Sequence, residues 1–146
     1  MHAEILYPPP NLKIRSADDA PLIAQLIINE HVRVLFESDA GAEAEAALLG
    51  IGGDLKSDIL IKGQHHSGHS GTPEFLDGVK PKLIIATSSE SPVAEKITEE
   101  WSSEVARRGI KLLRQDQTGA VEIQFRSEDW TTRSYLTGEA FRSSKR

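Results

Sequence analysis

The sequence predicts a single domain of mixed α and β structure, on three observations. Short runs of branched apolar residues recur along the chain. Helix-start signals of the Ser/Thr-Pro kind stand between them. One later segment places Val93, Ile97, Trp101 and Val105 at spacing four, an apolar stripe suited to a helix lying on a sheet.

In chain order, "AEILY" is a short apolar segment stopped by Pro8, Pro9 and Pro10, which cannot continue a sheet interior. "LIAQLII" and "VRVLF" flank "NEH" and signal a hairpin, although the turn lacks the favoured Asn-Gly pair. "GAEAEAALLG" has helix-forming composition and is expected to end at Gly50. "DILI" is a buried-type strand. Thr72 then stands where an N-cap belongs, with Pro73 at the first helical position and Glu74 in the first turn. "KLIIAT" is a second buried strand. Ser91 and Pro92 repeat the cap-and-proline start and open the helix of the apolar stripe, which Gly109 closes. "IKLLR" is a strand, "QDQTG" a turn, and "AVEIQF" puts Val121, Ile123 and Phe125 on one face. The sum is about seven strands and three helices, with residues 131–146 a polar, frayed tail.

Composition narrows the function classes. A formal net charge of −5 over 146 residues speaks against wrapping nucleic acid through a broad basic face. There is no cysteine, hence no disulfide and no thiolate ligand. "MHAEILYPPP" does not read as a signal peptide, and no run approaches the roughly 20 apolar residues of a membrane span, so the default expectation is cytoplasmic.

Chemistry concentrates in "GQHHSGHSG", residues 63–71, with three histidines within five positions. One reading is a solvated loop whose imidazoles bond to nearby backbone. The other is a metal site, since imidazole suits zinc, manganese and iron, and a loop past a strand end rests on a rigid support. Neighbouring side chains diverge, so one of His65 and His66 would bind while the other served substrate or supported a ligand from behind. Asp39, at a strand end before a helix, is the best further ligand, and equally a candidate helix N-cap. Asp18 and Asp19 read as loop residues, and Glu43, Glu45 and Glu95 as solvated helix faces. "GIGGD" lacks the lysine and helix of a phosphate loop, and no Ser-His-Asp arrangement can be argued from spacing.

The order of segments resembles one family. A strand ending at Asp39 runs into "GAEAEAALL"; then come "LKSDILIKGQHHSGHSGTPEFLDGVKPKLII" and "GIKLLRQDQTGAVEIQF". This is similar to the C-terminal half of the metallo-β-lactamase-like domain of ComEC-type DNA-uptake proteins, from about Ala3 to Phe125 and on through Trp130. The resemblance implies half of an αββα sandwich over residues 1–130, a mixed sheet with helices packed on one face, and descent from a two-metal hydrolase thought to act as a nuclease. It makes Asp39 the counterpart of the metal-bridging aspartate and one of His65 and His66 a ligand or active-site histidine. The cofactor it implies is zinc or manganese, held weakly. Nucleic acid enters as a partner through the resemblance alone, and relatives are membrane-associated.

The departures shape the functional expectation. The family motif His-x-His-x-Asp-His is absent, and His2 and His31 are isolated. The glycine before the aspartate is Ser38, "HHGS" has become "HHSG", and a downstream Gly-His-Pro-His-Pro loop is shortened to "SSESP". Two-metal hydrolysis needs both ions, so the chain reads as a truncated member, inactive alone. The alternatives are a hydrolase completed by a separately encoded N-terminal half, and a non-catalytic interaction domain. Half a sandwich also leaves a sheet face lined by "VRVLF", "DILI" and "LIIAT" open, which predicts a homodimer or a half-domain partner.

Overall fold

The computed structural model describes residues 1–11, 20–66, 70–89 and 91–143. Six strands form one sheet in chain order: β1 (His2–Tyr7), β2 (Ile23–Ile28), β3 (Val32–Ser38), β4 (Ile59–Lys62), β5 (Leu83–Ala86) and β6 (Lys111–Arg114). The first three pair antiparallel, and β3 to β6 run parallel. The expected hairpin joins β2 and β3. Its turn puts Asn29 and Glu30 at φ 51° and 64°, with the His31 amide donating to the Ile28 carbonyl at 3.1 Å. Both central residues of this turn need positive φ, and asparagine tolerates that better than glutamate does.

Parallel neighbours need crossovers, and these supply the helices. They are α1 (Ala42–Ile51), α2 (Pro73–Val79) and α3 (Glu99–Arg107). All three contribute to one core, where Ala44, Leu48, Phe75, Leu76, Val79 and Val105 meet Ile23, Leu35, Leu60 and Ile84 of the sheet. Helices on one face of a mixed sheet are thus what the sequence predicted. The cap at Thr72 is also as expected, its hydroxyl accepting from the Phe75 amide at 3.4 Å.

Some boundaries differ. Gly50 lies inside α1, and the chain leaves the helix at Gly52, whose φ is 77°. The stripe helix does not open at Ser91. A 3₁₀ turn, Val93–Glu95, comes first, and Thr98 caps α3 by accepting from the Trp101 amide at 3.2 Å. Val93 is consequently exposed and Ile97 is buried ahead of the helix, so spacing four overran a break in the chain. "QDQT" is a single helical turn, α4 (Gln115–Thr118).

The expected open face is covered. β7 (Val121–Arg126), β8 (Asp129–Ser134) and β9 (Ala140–Arg142) form a second, antiparallel sheet. It lies on the side of the large sheet away from the helices. Trp130, Val121, Ile123, Phe125 and Phe141 there form one core with Val32, Val34, Ile59, Leu83, Ile85 and Leu113. The segment expected to fray as a polar tail therefore carries two strand segments, Thr131–Ser134 and Ala140–Arg142. Its residues are polar on both faces, Thr132, Ser134 and Ser143 being buried, and polarity alone did not distinguish that from disorder.

Candidate functional site

β3 and β4 are parallel neighbours, so the loops leaving their C-terminal ends emerge side by side. Ser38 ends β3 at φ 58°, a left-handed conformation that turns the chain sharply into Asp39. The Gly63 amide donates to the Ser38 carbonyl at 2.5 Å. A Cβ on Gly63 would lie 2.7 Å from that oxygen and 3.3 Å from Asp39 Cα. The histidine loop and the aspartate turn are therefore in contact at the level of their backbones, and glycine at 63 is what permits it.

Asp39 is exposed, and Ser38 Oγ donates to its Oδ1 at 3.0 Å. It does not cap α1: the N-cap is Gly41, with no side-chain cap bond. His65 is half-buried over Gly41, and His66 is exposed beside it, with ring centroids 4.1 Å apart and planes tilted by 43°. His2 and His31 lie elsewhere, near Glu4 and Glu128. His69, Asp18 and Asp19 fall outside the described residues.

Asp39, His65 and His66 thus sit on two abutting loops, with donor chemistry that suits zinc or manganese. Among the described residues, however, no group of three or more histidine, aspartate or glutamate side chains is arranged to share one ion. A structural zinc site takes four ligands and a catalytic one three plus water. The described residues do not make up a complete set of either kind.

Beneath this edge lies a buried polar cluster that sequence reading missed. Lys62, the last residue of β4, is almost fully buried on the helix side of the sheet. Its ammonium donates to the Gly63 carbonyl at 2.8 Å, Gln64 Oε1 at 3.0 Å and Ser70 Oγ at 2.8 Å, and stands 5.2 Å from the Trp101 ring centroid. Glu45 of α1, expected on a solvated face, is completely buried. It accepts from the Thr72 amide at 2.8 Å, from Thr72 Oγ1 at 2.6 Å and from the Gly71 amide. Trp101 Nε1 donates to the Gly71 carbonyl at 2.9 Å.

Glu37 of β3 completes the cluster. It is fully buried, and neither oxygen receives a hydrogen bond from a donor. Burial pushes its carboxyl well above the usual range; Lys62 opposes that shift, and Glu45 reinforces it. Burial in turn depresses the Lys62 ammonium, against the pull of Glu37 and Glu45. Two signals were present in the sequence: Lys62 ends an otherwise apolar strand, and Glu37 is two positions from Leu35, on the same buried face.

No helix among the described residues is long and apolar enough to cross a membrane. No family model matches the chain. It is 36% identical over 91 residues to competence protein ComA of Neisseria gonorrhoeae, covering 62% of this chain and 13% of that protein. It is 24% identical over 101 residues to ComE operon protein 3 of Bacillus subtilis, covering 69% of this chain and again 13% of the relative. The chain thus spans about an eighth of the length of these curated relatives. By sequence it is related to a segment of competence proteins.

Proposed function

We propose that this chain is a metallo-β-lactamase-type half-domain related to ComEC-type DNA-uptake proteins. In this reading Asp39 and one of His65 and His66 supply part of a metal-ligand set. The observation that carries it is the contact of Gly63 with the Ser38–Asp39 turn, which holds the carboxylate loop against the histidine loop. The similarity to two competence proteins and the order of motifs support the same ancestry.

An incomplete set binds zinc or manganese weakly and cannot run two-metal hydrolysis. The chain is therefore inactive alone, and the remaining ligands would come from another chain or segment. Coverage of the second sheet face from within removes the open surface behind the expectation of a homodimer or a half-domain partner on that face.

Titration calorimetry with Mn²⁺ and Zn²⁺ on the wild type and on Asp39→Ala tests the ligand reading. Weak heats in the wild type that vanish in the variant are expected, and identical heats would take Asp39 out of the site. Single-stranded DNA cleavage should stay at background with either metal. Cleavage abolished by His66→Ala would show a working hydrolase instead.

A further inference from the structure

We propose that Lys62 is a positioning residue for the histidine loop: its buried ammonium ties the entering stem, Gly63 and Gln64, to the leaving stem at Ser70. The proposal deepens the reading of Asp39, His65 and His66 as a ligand edge.

A lysine at this position needs a reason. Burying an ammonium is costly unless each N–H finds an acceptor. An aliphatic residue would pack beside Leu60 and Ile84 without that cost. Here the three N–H bonds all fall on residues 63, 64 and 70, and none on a core element. The bonding capacity of the cation is thus directed at the loop. Glu45 supplies compensating charge from beneath, and the Trp101 ring adds its face.

The neighbouring contacts act on the same stem. Glu45 holds the Gly71 and Thr72 amides, and Trp101 holds the Gly71 carbonyl. Ser70 is therefore joined to Gly63 through Lys62, while Gly71 and Thr72 are fixed to α1 and α3. Between the stems, His65 and His66 are carried on a loop whose base is closed.

The test is residue-resolved amide exchange and imidazole NMR on the full chain, without metal, for wild type, Lys62→Met, Ser70→Ala and the double variant. Methionine matches the lysine stem in length and carries no donor. In Lys62→Met, exchange at Gln64, His65, His66 and Ser70 should rise at least tenfold while Leu60 and Ile84 stay protected. The His65 and His66 ring signals should converge towards a common, solvent-like position. Ser70→Ala should loosen the same amides, and add little in the Lys62→Met background. If Lys62→Met does not fold, Ser70→Ala carries the same expectation by itself. Unchanged loop protection, or a rise spread evenly over the core, would overturn the proposal. Because no readout uses metal, failure of the metal-ligand reading would leave this result standing on its own.

Discussion

Gly41 lies directly under the imidazole of His65. A Cβ at residue 41 would stand 2.9 Å from the ring Cγ and 3.0 Å from Nδ1. The φ of Gly41 is −95°, a value any residue adopts, so the glycine is explained by the ring above it and not by its own backbone. Gly41→Ala should accordingly keep α1 and displace His65. We expect an unchanged far-UV spectrum, a shifted His65 ring resonance and weaker Mn²⁺ heats. A His65 resonance identical to wild type would mean that the ring has room to spare.

Ser38 sits at φ 58°, in the left-handed region, so the side chain costs about 1 kcal/mol in backbone strain. Against this stand its hydroxyl bond to Asp39 and the unfolded-state entropy that glycine adds. Ser38→Gly should thus leave stability unchanged or slightly raised, where glycine elsewhere in a strand would lower it. Urea denaturation decides this. A loss above about 1 kcal/mol would show that the bond to Asp39 outweighs the strain.

Glu37 gives the fold a pH dependence of definite sign. Burial raises its folded pKa well above the ordinary carboxyl value. Stability from the neutral carboxyl is therefore complete below the unfolded value and is lost as pH rises through the folded one. Glu37→Gln does not titrate and keeps nearly the same shape. The variant should match wild type near pH 4 and gain on it above that, by up to about 1.4 kcal/mol per pH unit while the unfolded form alone ionises. Denaturation curves at several pH values test it. A constant difference across pH 4.5–8 would sink the idea.

Legibility in the sequence followed the range of the interaction. The hairpin, the Thr72 cap and the apolar strands were readable, since each rests on residues close in the chain. The loops carrying Asp39 and His65 could be named for the same reason: strand ends before helices are local signals. Glu37, Glu45 and Lys62 were not readable as a group, because they are brought together by parallel pairing of β3 with β4 and packing of α1 across both. Glu45 in particular follows helix-surface composition, and only its bonds to Gly71 and Thr72 distinguish it from Glu43, which is exposed. The covered face was missed for a related reason. β8 reads "DWTTRS", whose buried Thr132 and Ser134 conceal a core strand anchored by one tryptophan.

That tryptophan carries the last prediction. Trp130 is 1% exposed, stacks near Phe141 at 5.7 Å between ring centroids, and shares a core with Val34, Ile59, Leu83 and Ile85. Trp130→Ala should cost about 3–5 kcal/mol, a large share of the roughly 5–15 kcal/mol that holds a typical domain together. With the second face covered, wild type should sediment as a monomer at all concentrations and bind little apolar dye. Trp130→Ala, or a chain ended at Ser127, loosens or removes β8 and β9 and bares apolar residues of β3, β4 and β5. Either should bind dye and self-associate as concentration rises. A truncated chain that stays monomeric and dye-free would show that the small sheet is not what keeps that face from water.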